Sequence, residues 1–255
     1  MFREIVCVGC GGIFSKLWHF LGQSCHNQAK APKKITLIDG DTFEAKNLDR
    51  QDLRDMDVGH PKSEVFRNRM LASFNALDVN AVTEYVTSAN IKRLIPDNAI
   101  ILMMVDHDPV RNLISEYMSG QLKNVTLIEG SNFGLNDAQP ATVGNAYWYL
   151  RLGGEDITLP LHEAYPKIKE AKGQKTKGEM NCNEREALPG GQQLGATNFM
   201  VAAWMGAYLS TLIERMGTKE ELVKSAVRNS EVVFDIARFT ANRYGRAKQK
   251  TATQV

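Results

Sequence analysis

The sequence predicts an α/β fold: a doubly wound, mostly parallel sheet with helices on both faces and a loop-rich C-terminal part. Three observations carry this. Short β-branched runs alternate with segments of helical spacing through the first 130 residues, the order that builds parallel sheets through crossover helices. The first run ends in a glycine turn that opens a helix. After Gly130 the periodic texture breaks down.

Residues 4–9 (EIVCVG) form a short apolar run ending at glycine, which reads as a strand buried on both faces. Gly9-Cys10-Gly11-Gly12 makes a tight turn, and residues 13–28 set Leu17, Phe20 and Leu21 on one helical side. A second strand covers 35–39, a long amphipathic helix 62–75, and further strands 82–87 and 100–105. Residues 109–121 read as a helix, 125–129 as a strand and 145–152 as an aromatic strand. Residues 153–195 are polar and weakly periodic, and 193–216 read as one long buried helix. The expected organisation is a single domain over 1–245, with a nucleotide-binding core (1–131), a loop-rich substrate side (132–195) and a closing helix (196–216). Residues 246–255 form a basic tail expected to fray.

Composition narrows the function classes. Apolar residues make up 43% and charged residues 24%, ordinary for a globular protein. A net charge of +2 gives no argument for nucleic acid or for an anionic membrane surface. No apolar run approaches the roughly 20 residues of a membrane span, and the N-terminus lacks the signal-peptide pattern. The four cysteines, Cys7, Cys10, Cys25 and Cys182, do not form a secreted disulfide framework. A cytoplasmic location is expected.

A strand, Gly9-x-Gly11-Gly12 and then a helix is a sound phosphate site. Glycines let the backbone approach phosphate, and the helix start offers free N–H groups at the positive end of its dipole. Asp39, ending the second strand, is placed to accept hydrogen bonds from ribose hydroxyls, somewhat beyond the roughly 20-residue spacing of dinucleotide folds. By itself this pair does not separate NAD from ATP, and a glycine turn also serves simply to pack helix on sheet.

The following segment decides. Asp39-Gly40-Asp41 is followed by Asn47, Arg50 and Gln51, and then by Gly59-His60-Pro61-Lys62. A dehydrogenase has no use for that cationic and amide cluster. An ATP α-phosphate site does, because arginine and lysine neutralise the charge that grows as pyrophosphate leaves. Lys62 also falls at a helix start, where the dipole adds to its pull on phosphate.

The order G-x-G-G, D-x-D, N-L-x-R-Q and G-x-P-K resembles the adenylation domain of the ThiF/MoeB/ubiquitin-activating family, well over residues 4–131 and thinly beyond. The resemblance implies a Rossmann-like fold that uses ATP and magnesium to activate a carboxylate, the C-terminal glycine of a ubiquitin-like β-grasp protein. It assigns Gly9, Gly11, Gly12, Asp39 and Asp41 to the nucleotide, with Asp39 on the ribose. It sets Asn47, Arg50, Gln51 and Lys62 around the phosphates. Val105-Asp106-His107-Asp108-Pro109-Val110-Arg111 is similar to the family's D-N-x-x-x-R segment, which gives Asp106 the magnesium; Asp108 is expected to be only a helix cap. The catalytic set is thus Arg50, Lys62 and Asp106, with Cys182 either a thioester acceptor or an ordinary loop thiol. Met180-Asn181-Cys182 before the long helix is similar to small bacterial ThiF-like proteins, including those of plasmid-borne PRTRC systems. The resemblance also implies a homodimer.

Several positions depart from the pattern. Phe14 replaces the last family glycine, so a shifted helix or a narrowed pocket is expected. Met103 stands where relatives carry an acid, and His107 replaces Asn. Only Arg3 precedes the first strand, so the family's intersubunit arginine is absent or comes from elsewhere. Cys7-x-x-Cys10 lacks the second pair of a structural zinc site; both cysteines read as packing residues and no zinc is expected. A nucleotide-binding module without chemistry and an NAD-dependent oxidoreductase are the competing readings.

Overall fold

The computed structural model describes residues 1–48, 51–132, 141–188 and 193–248. Its first half runs β1 (Glu4–Val8), α1 (Phe14–Asn27), β2 (Lys34–Ile38), α2 (Lys62–Ser73), β3 (Asp78–Val82), α3 (Ile91–Leu94), β4 (Ala99–Met103), α4 (Asp108–Gln121) and β5 (Val125–Asn132). The second half adds β6 (Val143–Leu152), β7 (Glu155–Asp156), α5 (Leu161–Ala164), α6 (Pro166–Glu170), α7 (Cys182–Glu186), α8 (Gly195–Arg215), α9 (Lys219–Arg228), β8 (Glu231–Asp235) and β9 (Thr240–Tyr244).

All the strands described join one mixed sheet in the order β3-β2-β1-β4-β5-β6-β8-β9, with β7 paired to β6. The five strands from β3 to β5 run parallel, and β6, β7, β8 and β9 extend the sheet antiparallel. The central strand β1 pairs on both sides, Val6 lying opposite Thr36 and Ile101. Side chains alternate across such a strand. Ile5 and Cys7 therefore join the layer of α1, α2, α8 and α9, while Val6 and Val8 join the layer of α3 and α4. With both faces covered, every one of these positions must be apolar, and the run EIVCV follows.

α8 lies close on β5 and β6 because two glycines make room for it. A Cβ on Gly130 would stand 2.3 Å from Met205 Sδ, and one on Gly144 would stand 2.9 Å from Val201 Cγ2. By length and apolar composition α8 is the one described helix able to cross a membrane, so the expectation that no run approaches that length is corrected. It packs as a core helix, with Val201, Met205, Leu209 and Leu212 fully buried.

Three features depart from the sequence reading. The strand expected at 82–87 lies at Asp78–Val82, and the chain then leaves the sheet edge and turns over the site. The alternation in DVNAV marks the edge strand, whereas the apolar residues that follow pack on the adjoining layer, with Val86 buried among Ile91 and Leu94. α9, β8 and β9 were not expected at all; β9 is exposed along its whole length and has too little apolar character to register. The first residues of the expected tail are held in place: Arg246 pairs with the buried Glu231 at 2.6 Å, and Ala247 bridges to Thr158.

Candidate active site

Parallel strands all point their C-terminal ends to one edge, and the order β2-β1-β4 sets three loops side by side there. The glycine turn after β1 lies in the middle. Asp39 and Asp41 follow β2 on one flank, and Asp106 follows β4 on the other. Gly9, Gly11, Gly12, Asp39, Asp41, Asn47, Gln51, Lys62, Asp106, His107 and Arg111 all line one cavity above this edge. Open α/β sheets bind ligands at such a place, where neighbouring loops diverge to opposite faces.

The three glycines do different things. Gly9 has φ +91° and its Cβ would stand 2.9 Å from the Met104 carbonyl oxygen, so only glycine turns the chain there. A Cβ at Gly11 would meet nothing within 4 Å; the space above it is open cavity, the room a phosphate needs. Gly12, expected at the nucleotide, borders the cavity, but its Cβ would stand 2.3 Å from Asn198 Nδ2 of α8. Its small size serves helix packing as well. Phe14 neither shifts the helix nor narrows the pocket. It is the first residue of α1, fully buried, with its ring edge-on to Phe66 at 5.0 Å.

Asp39 is buried, with Oδ2 accepting from the Cys10 N–H at 2.6 Å and Oδ1 from the Asp41 N–H at 2.8 Å. Burial pushes its carboxyl up, while nearby Lys62 favours the anion. Asp41 accepts from the Tyr85 hydroxyl on Oδ1 and faces Lys62 Nζ at 3.4 Å through Oδ2. Burial acts on Asp41 as well, but Lys62 and the Tyr85 hydrogen bond outweigh it and hold the carboxyl below its ordinary range. Lys62 starts α2 as expected and is itself buried, with its ammonium 6.0 Å from the Phe43 ring centroid. Asn47 is buried and its Oδ1 accepts from the Glu44 N–H at 3.1 Å. Gln51 is buried, and its Oε1 has no partner among the described residues. Arg50 lies outside the described residues.

On the other flank, Asp106 faces the cavity and pairs with Lys177 Nζ at 3.0 Å. Its surroundings favour the neutral acid, yet Lys177 and, more weakly, Arg111 hold it below the usual carboxylate range. Burial, and then the Lys177 charge, pull the His107 imidazole below its ordinary range. Asp108 is no N-cap, contrary to expectation. His107 occupies that position, and Asp108 pairs inside the first turn with Arg111 at 3.1 Å. Arg111 also reaches the fully buried Glu129 at 3.3 Å, whose carboxyl burial raises against the pull of Arg111.

The Asp106 carboxylate, lining the cavity, suits magnesium, which binds through one or two carboxylates together with substrate phosphates. Among the described residues no cluster of three or more His, Cys, Asp or Glu side chains is placed to hold a metal unaided. Cys7 and Cys10 are fully buried in the core. Cys182 begins α7, with its side chain outside the described residues.

Two site residues had no sequence signal. Tyr85 stacks over the backbone of Gly40, where a Cβ would stand 2.6 Å from its ring. Lys177 reaches the cavity from the irregular segment after α6. Only the tertiary fold brings either to the site.

Comparison with known proteins agrees with the architecture. Escherichia coli MccB in a structure with ATP matches at TM-score 0.69 and 18% identity, over 97% of this chain and 65% of that one. The microcin C7 biosynthetic enzyme MccB in complex with N-formylated MccA matches at TM-score 0.71 and 17% identity, over 98% and 67%. PaaA matches at TM-score 0.66 and 15% identity, over 97% and 65%. The chain therefore spans about two thirds of the length of these proteins. No curated protein matches by sequence. A profile of the ThiF family matches residues 2–251, nearly the whole sequence, and the chain belongs to the ThiF family.

Proposed function

We propose that this protein is an ATP-dependent adenylyltransferase: it joins a carboxylate to the α-phosphate of ATP and releases pyrophosphate. One observation carries the reading. Residues from four separate motifs, Gly11, Asp39, Gln51 and Lys62 among them, line one cavity at the sheet edge together with Asp106. Structures of MccB, one with ATP and another with N-formylated MccA, support a site for a nucleotide and a carboxylate substrate.

The chemistry follows from these groups. The acceptor carboxylate is already ionised at neutral pH, so no general base is needed. One of its oxygens attacks the α-phosphorus, and the bond from that phosphorus to the bridging oxygen of the β-phosphate breaks. The electron pair leaves with pyrophosphate. Lys62, and Arg50 in this reading, stabilise the charge that develops. Asp39 accepts from the ribose hydroxyls, and Asn47 and Gln51 orient the phosphates. Magnesium on Asp106 would supply charge neutralisation along the phosphate chain.

The acceptor is the C-terminal glycine of a β-grasp protein or another peptide carboxylate, approaching from the side of residues 132–195. The chain works as one cytoplasmic adenylation unit within a homodimer. Cys182 receives the acyl group only if the product is a thioester.

ATP–pyrophosphate exchange tests this, with wild type compared to Lys62→Ala and Asp106→Ala in the presence of glycine-ended peptides and candidate small proteins. Exchange that requires a carboxylate and collapses in both variants is the expected result. ATP binding without exchange under any acceptor would favour a module that has lost its chemistry, and NAD binding in place of ATP would overturn the reading.

A further inference from the structure

We propose that Lys177 closes the nucleotide site on the Asp106 flank, its ammonium binding the phosphate chain of a nucleoside triphosphate. The inference rests on the cavity being an ATP site and adds a residue that no motif assigns.

The placement is specific. Asp41 and Asp106 stand on the two flanks of the Gly9–Gly12 turn, because β2 and β4 flank β1. Lys177 Nζ pairs with Asp106 at 3.0 Å, and Lys177 lines the same cavity as Asp39 and Asp41 on the other flank. Lys177 therefore stands at the Asp106 flank of a cavity that Gly11 leaves open. A phosphate chain laid there has Lys62 on the Asp41 flank and Lys177 on the Asp106 flank.

The segment carrying Lys177 is built to stay there. Glu179 Oε1 accepts from the Ser88 hydroxyl at 2.7 Å, and Oε2 accepts from the Thr176 N–H at 2.9 Å. One carboxylate thus fastens both ends of the turn to the residues after β3. Gly178 lets the backbone lie flat against them, since a Cβ there would stand 2.5 Å from Thr87 Cγ2. Arg185 adds a contact over the Tyr85 ring at 5.7 Å. A lysine on a mobile surface loop would be held by none of these.

Asp106 compensates the charge of Lys177. A bound phosphate chain offers the ammonium stronger acceptors and leaves the Asp106 carboxylate for other cationic ligands. Lysine suits this place better than arginine, being a compact charge that does not demand a planar partner.

Isothermal titration calorimetry with ATP and with adenosine tests the role, on wild type, Lys177→Met and Lys177→Arg. Lys177→Met is expected to weaken ATP by at least about tenfold, the scale of one charge-assisted hydrogen bond. Adenosine affinity is expected to stay unchanged, and Lys177→Arg to recover ATP binding in part. Amide exchange over residues 174–185 should slow on ATP addition in wild type and not in Lys177→Met. Equal ATP affinity in wild type and Lys177→Met overturns the inference. So does a loss shared equally by ATP and adenosine, the mark of a displaced segment. Wild type that binds no ATP overturns the reading of the cavity itself, and the role of Lys177 falls with it.

Discussion

The Tyr85 hydroxyl donates to Oδ1 of Asp41 while Lys62 faces Oδ2 of the same carboxylate at 3.4 Å. A side chain from the sheet edge thereby fixes the acid that positions the buried lysine. Removing the hydroxyl in Tyr85→Phe should cost about 1.5 kcal/mol, the scale of a hydrogen bond to a charged group. It should also weaken ATP binding by letting Asp41 and Lys62 move. Calorimetric unfolding alongside ATP titration reads both effects, and an unchanged ATP affinity would remove Tyr85 from the site.

The two neighbouring glycines should separate binding from stability. Gly11→Ala places its methyl in open cavity, so stability should hold while ATP affinity falls. Gly12→Ala drives a methyl to 2.3 Å from Asn198 Nδ2, and overpacking of this kind costs about 1–3 kcal/mol. Denaturant unfolding and ATP titration on the pair provide the comparison. Equal behaviour of the two variants would contradict the division of labour in the turn.

Phe14 should prove to be a core residue and not a pocket wall. Its truncation in Phe14→Ala opens a hole against Phe66, with an expected loss of about 3–5 kcal/mol. Restoring glycine at this position should bring no gain in ATP affinity. Tighter ATP binding in Phe14→Gly would show that the ring obstructs the nucleotide after all.

Glu179 supplies a pH signature for the segment over the site. The Ser88 hydroxyl, then the Thr176 N–H, lower its pKa to about 2 from an ordinary 4.5. A carboxyl depressed in this way stabilises the fold fully above its unfolded pKa, and loses that contribution as pH falls through its folded value. The amide resonances of Ser88 and Thr176 should therefore hold their positions through pH 4.5 and shift only toward about 2. A midpoint at the ordinary value would mean that the clasp does not form in solution. Glu179→Gln should abolish the transition.

The site was legible in the sequence wherever a residue sits within a few positions of a strand end. Asp39, Asp106 and the glycines are of this kind, because strand, turn and helix order place them by local geometry alone. Phe14 misled for the opposite reason: a motif position gives spacing along the chain, whereas burial depends on α2 arriving from residues 62–73. Lys177 and Tyr85 carry no local mark, since a lysine in a polar stretch and a tyrosine after an edge strand are ordinary. The edge strand β9 escaped notice because it is exposed along its length and lacks the apolar run that announces buried strands; β8 is buried, but its apolar run is only Val232–Phe234, bounded by Glu231 and Asp235.

The contacts that close the cavity join residues far apart in the chain: 71 positions separate Lys177 from Asp106, and 44 separate Tyr85 from Asp41. Closing such loops costs entropy before any contact offsets it, and contacts of that span slow folding. The parallel strands can assemble from neighbouring units, whereas these contacts must wait for the sheet. A nascent chain released after β5 would carry the glycine turn and both aspartate flanks but no Lys177. With Lys177 in its proposed role, a chain of that length would hold a triphosphate less tightly than the finished fold.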